Sequence, residues 1–283
     1  MTPAVIPILS SIAELSSTSD AWIVDIWGVI HNGARAFAAA GEACRRFRRR
    51  GGIVMLLSNA PRPFRAVVQQ MSALGVDPEA YDGGVTSGDV TRGLLEAWSD
   101  RPLLHIGPER DKGLFEGLAP RLTKPEEAQA IVCSGLWDDT SETPADYAGL
   151  FGALAARRVP MICANPDLVV ERGDKLVYCA GAMAAVYEEK GGEVIYAGKP
   201  HLPIYERTFA AIARIAGAPM ARERILTIGD GVDTELLGAH RAGLRSVFIA
   251  SAVHVPGGLD ARVLEALFAS QPYRPIAALP ALA

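Results

Sequence analysis

Four short segments of the sequence carry polar or charged side chains where a predicted strand ends. They are Asp25-Ile26-Trp27-Gly28-Val29, Leu57-Ser58-Asn59-Ala60, Gly198-Lys199-Pro200-His201 and the acidic run at 228–235. Carboxylates at a strand end suit a hard cation such as Mg²⁺, and a lysine supplies a compact positive charge for a phosphate. A hydroxyl followed by free backbone N–H groups at the start of a helix suits an anion. Ligand sites of open α/β sheets lie at such strand ends.

Each of these segments, taken singly, is also compatible with a purely structural role. A strand-end carboxylate such as Asp25 often caps a turn, and Ser58 could simply cap the helix that follows it. A lysine such as Lys199 is most often solvated at the surface. An acidic helix start is common because it complements the helix dipole.

The elements that must position these residues follow a repeating pattern at both ends of the chain. Apolar, β-branched runs alternate with helical patterns, so both ends read as β-α-β units. Strands this apolar are covered on both faces, which favours a parallel sheet between helix layers. The predicted segments are strand 22–26, helix 37–50 and strand 53–57 near the start, and strand 225–228, helix 235–242 and strand 246–249 near the end.

The middle of the chain has shorter strands separated by looser acidic stretches. We predict strands at 103–106, 130–133 and 161–163, and a hairpin whose turn is 171–175. No low-complexity linker marks a domain boundary. The best candidate hinges are therefore the glycine-rich run 83–88 and the residues 196–198.

In this order, the four segments resemble the four motifs of the haloacid dehalogenase (HAD) superfamily. The stretches that carry the resemblance are DIWGVIHNG, LLSNAPRP, CANPD, AGKPH and IGDGVDTELLGAHRAG. They look like subclass IIA, the p-nitrophenylphosphatase-like and NagD-like proteins with a large cap between the second and third motifs. The resemblance implies a three-layer α/β/α Rossmann-like parallel-sheet core, residues 1–84 and 198–283, with an inserted α/β cap domain, residues 85–197.

The resemblance also implies an aspartyl-phosphate mechanism that depends on Mg²⁺. Asp25 matches the family's nucleophile, and the carboxylate of Asp230 and the backbone carbonyl of Trp27 match its remaining protein ligands to the metal. Asp233 and Glu235 match groups that orient waters around the metal or the motif lysine, although Glu235 stands where the family usually has Asp.

Other residues match the family's phosphate-binding groups. The hydroxyl of Ser58 and the N–H of Asn59 would hold phosphate oxygens, and Lys199 would neutralise the developing charge. Asn165 and Asp167, in the CANPD stretch, would border the substrate pocket. Because Asn-Pro-Asp is also strong turn chemistry, we weigh a pocket role and a simple turn about evenly.

The sequence departs from the family's pattern at the residue that donates a proton to the leaving group. The family's phosphatases usually carry a second Asp two residues after the nucleophile, which protonates the leaving oxygen, and here that position is Trp27. An indole has no proton to give at neutral pH, and losing a general acid typically costs about 10²–10⁴ in rate. His31 is the one nearby candidate replacement, although structural contacts in its loop are the favoured reading.

Composition excludes several other classes. The chain has 283 residues, a formal net charge of −4 and four widely spaced cysteines with no CxxC pair. These numbers argue against a nucleic-acid surface, a zinc site and a disulfide framework, and no run is apolar enough for a membrane helix. No GxGxxG follows the first strand, which disfavours a dinucleotide-binding fold. We therefore expect a cytoplasmic protein with neither nucleic-acid nor membrane partners.

The sequence thus predicts a HAD-type phosphatase: a Mg²⁺-dependent phosphohydrolase acting on a small phosphorylated metabolite. Without the acid, its activity should be weak or selective for leaving groups that depart readily. The alternative is a phosphate-ligand binding or regulatory protein on a catalytically impaired scaffold. Caps of this type often dimerise in related proteins, so a homodimer is possible.

Overall fold

The computed structural model describes residues 5–172, 175–250, 255 and 258–283. Within them, the chain forms two compact units. The first contains residues 1–58, 68–85 and 205–283, and the second contains residues 59–67 and 86–204. No helix of the described part of the chain combines the length and the hydropathy needed to cross a bilayer.

The first unit is built on a six-stranded sheet in the order β12-β11-β10-β1-β2-β3. Its strands are β1 (Ala21–Asp25), β2 (Ile53–Ser58), β3 (Gly83–Thr86), β10 (Ile225–Gly229), β11 (Arg245–Ile249) and β12 (Ala277–Leu279). Every pair from β12 to β2 is parallel. The chain moves outward from β1 in one direction and from β10 in the other, so the strand order reverses between these two neighbours.

Helices connect these strands, and right-handed crossovers in opposite directions put them on opposite faces of the sheet. The connecting helices are α1 (Ala38–Arg49), α2 (Phe64–Ala73), α7 (Leu237–Arg241) and α8 (Ala261–Phe268), and α6 (Leu202–Ala216) leads into β10. On one face, Trp22 of β1 stacks on Phe47 of α1 with ring centroids 3.9 Å apart. In another packed cluster, Phe248 of β11 meets Phe268 of α8 edge to face at 5.8 Å. Aromatic packing of this kind fixes β1, which ends at Asp25, and β11, the neighbour of the strand that Asp230 follows.

The second unit has a four-stranded parallel sheet in the order β4-β5-β6-β9 and a two-stranded antiparallel hairpin, β7-β8. The strands are β4 (Leu103–Ile106), β5 (Ala130–Cys133), β6 (Met161–Cys163), β7 (Val169–Arg172), β8 (Lys175–Tyr178) and β9 (Val194–Tyr196). The helices are α3 (Ser87–Ala97), α4 (Ala148–Ala156) and α5 (Ala180–Glu189). Phe151 of α4 and Tyr187 of α5 meet edge to face in its core.

The α/β class and the parallel sheets confirm the predicted fold class, and the predicted strands agree within one or two residues. The hairpin strands are present, whereas residues 173 and 174 of the predicted turn lie outside the described residues. All four cysteines are free and buried. The run 83–88, predicted as a candidate hinge, forms β3 and begins α3, where Thr86 and Asp89 make a reciprocal capping box.

The helix predicted at 235–242 also differs from the structure. A π-helical turn, Val232–Leu236, precedes the short helix α7. The backbone N–H of Leu236 donates to the carbonyl of Gly231 at 3.1 Å, which widens the turn by one residue. Single π-turns of this kind are frequent at functional sites.

Candidate active site

The carboxyl edge of the first unit's sheet gathers the acidic residues predicted from the sequence. Asp25 ends β1 and pairs in register with Leu57 of β2, so Ser58 follows directly beside it. Asp230 directly follows β10, the neighbour of β1 on its other side. Strand order reverses between β1 and β10, and this switch point is where open α/β sheets bind their ligands.

Three carboxylates come together at this edge. Asp25, Asp230 and Glu235 each place an oxygen within 4.8 Å of the other two. Asp25 and Asp230 are 6% exposed and Glu235 is 3% exposed. Like charges this close and this far from water repel each other strongly, and a bound cation would offset that repulsion.

Glu235 belongs to this cluster because of the π-helical turn that carries it. Its Oε2 accepts hydrogen bonds from the N–H of Gly231 at 2.9 Å and from the hydroxyl of Thr234 at 2.8 Å. A Cβ at Gly229 or Gly231 would collide with the Glu235 side chain. Both glycines therefore leave the room that the longer side chain of Glu needs.

Asp233, which the sequence grouped with Glu235, is placed elsewhere. It is exposed, and its Oδ1 accepts a hydrogen bond from Nε2 of Gln271 at 3.1 Å. The sequence alone does not separate the two acids, because the π-helical turn determines which of them turns inward.

The turn after β1 shapes the approach to Asp230. Gly28 has a φ of +84°, and a Cβ there would collide with the carboxylate of Asp230. The N–H of Gly28 donates to the carbonyl of His31 at 2.8 Å, and the N–H of His31 returns to the carbonyl of Ile26 at 3.1 Å. A glycine is thus required between Trp27 and the flap, because no side chain fits beside that carboxylate.

Trp27 and His31 occupy the flap that follows. The indole nitrogen of Trp27 lies alongside Gly33, 3.4 Å from the position that a Cβ would take there. His31 is buried, and its Nδ1 accepts the N–H of Gly33 at 3.0 Å. Burial lowers the pKa of His31 below its ordinary value. A neutral imidazole with Nδ1 engaged in this way serves as a structural acceptor for the loop.

The second unit holds the other predicted residues at the carboxyl edge of its own sheet. Asn165 and Asp167 follow β6, and Lys199 follows the adjacent strand β9. Lys199 is buried, with 3% of its surface exposed. Asn165 closes an Asx turn, because its Oδ1 accepts the N–H of Asp167 at 3.1 Å.

Asn59 joins these two loops. Its Oδ1 accepts the backbone N–H of Lys199 at 2.7 Å, and its Nδ2 donates to the carbonyl of the same residue at 3.1 Å. The same Nδ2 donates to Oδ1 of Asp167 at 2.7 Å. The sequence pointed to the backbone N–H of Asn59 but not to this use of its side chain. No local signal predicts it, since Asn59 and Lys199 are 140 residues apart.

Comparison with known proteins agrees with the motif order. The profile described as haloacid dehalogenase-like hydrolase matches residues 22–119, and the HAD-hydrolase-like profile matches residues 196–272. A crystal structure of a haloacid dehalogenase-like family hydrolase from Brucella suis 1330 is 45% identical, with a TM-score of 0.85, over 98% of this chain and 100% of that one. The chain belongs to the haloacid dehalogenase-like hydrolase family.

Two more distant structures share the fold. A 4-nitrophenylphosphatase from Thermotoga maritima is 19% identical, with a TM-score of 0.72, over 94% of this chain and 96% of that one. NagD from E. coli K-12 is 22% identical, with a TM-score of 0.67, over 93% of this chain and 97% of that one. No protein with a curated description matches the chain significantly.

Proposed function

We propose that the protein is a Mg²⁺-dependent phosphohydrolase that acts on a small phosphorylated metabolite through an aspartyl-phosphate on Asp25. The observation that carries the proposal is the cluster of buried carboxylates at the switch point of the sheet, one of them at the position of the family's nucleophile. A buried carboxylate cluster is costly to maintain, which favours a functional reason for it.

The residues present fit a magnesium ion. The donors are hard carboxylate oxygens, and Gly28 leaves the space beside Asp230 that a larger residue would fill. Asp25, Asp230 and the carbonyl of Trp27 would hold the ion, and Glu235 would support it from the π-helical turn. When bound, the ion would offset the repulsion between an anionic nucleophile and an anionic substrate.

The chain's own groups supply the remaining steps. A carboxylate oxygen of Asp25 forms a bond to phosphorus while the bond from phosphorus to the leaving oxygen breaks. The hydroxyl of Ser58 and the N–H of Asn59 donate to phosphate oxygens, and Lys199 contributes positive charge as the transition state develops. Water then hydrolyses the acyl phosphate, which releases inorganic phosphate and restores Asp25.

Trp27 restricts which substrates react readily. Because the leaving oxygen receives no proton from this position, phenolates and other groups that depart as stable anions should be favoured over alkoxides. The same residue supports a second candidate function, a phosphate-ligand binding or regulatory protein in which turnover is lost. Retention of Asp25, Ser58, Lys199 and Asp230 favours the enzyme, because binding alone has little need of all four.

We also propose that residues 85–197, which make up most of the second unit, are the family's cap and select the substrate, with Asn165 and Asp167 at its recognition edge. The expected setting is the cytoplasm, since the four buried free thiols suit a reducing compartment. A homodimer formed through the cap remains part of this proposal and is testable by light scattering.

Hydrolysis of p-nitrophenyl phosphate, measured with and without Mg²⁺, tests the proposed function. We expect metal-dependent turnover that Asp25→Asn abolishes. Asp20→Asn is the matched control, because Asp20 lies just before β1 and forms an exposed ion pair with Arg224. Absence of turnover while inorganic phosphate still binds would instead establish the binding protein. A panel of metabolite phosphates would then identify the substrate.

A further inference from the structure

Both polar atoms of the Asn59 side chain are hydrogen-bonded to residues of the second unit. Its Oδ1 faces a donor, the N–H of Lys199, while its Nδ2 faces two acceptors, the carbonyl of Lys199 and the carboxylate of Asp167. The two hydrogens of an amide nitrogen match the two acceptors, so only one orientation of the amide satisfies every partner. Asn59 is also 4% exposed, which leaves its side chain little access to a substrate.

We propose that Asn59 is a positioning residue, whose side-chain amide fixes the backbone of Lys199 and couples it to the Asp167 turn. We call this set of three hydrogen bonds the Asn59 network. The inference rests on the proposed function and deepens it. Asn59 then acts on a phosphate in two ways, directly through its N–H and indirectly by holding the lysine, and Asp167 acts through Asn59.

Close packing around the Asn59 network supports a positioning role. A Cβ at Gly198 would collide with Oδ1 of Asn59 and would come within 2.7 Å of Pro166 and 2.8 Å of Oγ of Ser87. The chain beside Lys199 therefore lies directly against the amide, and a displacement of Asn59 is transmitted to it.

The Asp167 turn is itself held rigidly. The N–H of Gly181, at the start of α5, donates to the carbonyl of Asp167 at 3.1 Å. A Cβ at Gly181 would collide with the carbonyl of Pro166. Together with the Asx turn at Asn165, these contacts hold the Asp167 carboxylate in place for Nδ2 of Asn59. The side chain of Asn59 thus holds both the Asp167 turn and the backbone of Lys199.

Exchanging donor and acceptor tests the Asn59 network. Asn59→Asp keeps the acceptor for the N–H of Lys199 but sets an oxygen against the two other acceptors, so kcat/KM should fall on the order of 10²-fold. Asp167→Asn in the same chain restores a donor between the two side chains, and the double variant should recover much of that loss. Asp167→Ala should cost about tenfold, and Asp167→Asn should cost less because an amide oxygen can still accept.

Two readouts separate positioning from general damage. The melting temperature reports folding. Asp146→Asn is the control for the Asp-to-Asn change, because the Asp146 carboxylate accepts hydrogen bonds from Thr143 at the start of a helical turn. Hydrogen exchange at the amide of Lys199, measured by NMR, reports the Asn59 network without any substrate. Exchange should be slow in the wild type and fast in Asn59→Asp, because repulsion between the second carboxylate oxygen and its two acceptor neighbours displaces the whole side chain from the N–H of Lys199. It should be slowed again in the double variant.

The outcomes distinguish this proposal from the proposed function. If the wild type hydrolyses p-nitrophenyl phosphate and the folded Asn59→Asp variant keeps its kcat/KM, or the double variant recovers nothing, the positioning role is overturned. If the wild type shows no turnover, the proposed function fails. The Asn59 network is then judged on amide exchange, and equal protection of Lys199 in the wild type and Asn59→Asp overturns it.

Discussion

Gly28 lies so close to the carboxylate of Asp230 that any side chain at this position would collide with it. The two residues are far apart in sequence and meet because β1 and β10 are parallel neighbours. Gly28 also has a φ of +84°, a conformation that costs other residues about 1–2 kcal/mol. The position of the aspartate in the fourth motif therefore requires a glycine in the first motif.

Gly28→Ala should weaken Mg²⁺ binding by about 10–100-fold, because the new methyl group displaces a carboxylate that would hold the ion. Isothermal titration calorimetry with Mg²⁺ measures this directly. Gly41→Ala, within helix α1 and with open space around its Cβ position, is the control and should bind as the wild type does. Equal affinity of the two variants would show that Asp230 does not bind the ion.

Glu235→Gln should reduce Mg²⁺ affinity more than Asp233→Asn does. Glu235 shares the carboxylate cluster, whereas Asp233 is exposed and bonded to Gln271. The amide of Gln can still accept from the N–H of Gly231, so the loop should keep its shape and the loss should report charge. The rise of the melting temperature on adding Mg²⁺ measures the difference, since a ligand stabilises the state that binds it. The reverse ranking would contradict the placement of these two acids.

Trp27→Asp should raise turnover of alkyl phosphates far more than that of p-nitrophenyl phosphate. The new carboxyl group supplies the missing proton, which is worth about 10²–10⁴ for a poor leaving group. A plot of log kcat/KM against leaving-group pKa should become flatter in the variant. An unchanged slope would mean that another group already protonates the leaving oxygen.

His31→Asn tests the other candidate for that proton. The Asn side chain can still accept the N–H of Gly33, so the flap should be retained. Because burial lowers the pKa of His31, the ring is neutral at neutral pH and has no imidazolium proton to give. We expect kcat and its pH profile to stay close to those of the wild type. A loss of the size expected for a general acid would assign the role to His31.

His105 should make stability depend on pH. Burial, with a smaller effect of Lys112, lowers the pKa of His105 from 6.5 to about 4, and its Nε2 pairs with Oγ of Ser134 at 3.0 Å. At pH values between these two pKa values, His105 binds a proton in the unfolded chain but stays neutral in the folded chain. The free energy of unfolding should therefore decrease as pH falls through this window, by up to about 3 kcal/mol.

Urea unfolding at several pH values measures that dependence. His105→Gln keeps a polar partner for Ser134 but does not titrate, so its stability should change less with pH. Parallel pH profiles for wild type and His105→Gln would contradict the lowered pKa of His105.

The fold class and the order of the motifs can be predicted from the amino-acid sequence alone. Buried parallel strands such as β1 and β5 are short apolar runs, and the polar residues that follow them mark the sheet edge where ligands bind. That information is local, so Asp25, Ser58, Lys199 and Asp230 could be selected without coordinates. The motif order then indicated the family, which the Brucella suis relative confirms.

Which of these polar groups lie together depends on the packing of the folded chain. Parallel register joins Asp25 to Asp230, and a π-helical turn, rather than the predicted helix, turns Glu235 inward and leaves Asp233 in solvent. Asn59 reaches Lys199 across 140 residues. Such contacts depend on how packing brings distant strands and loops together. They cannot be predicted from the residues adjacent in sequence, because those residues do not specify which distant segment will pack nearby.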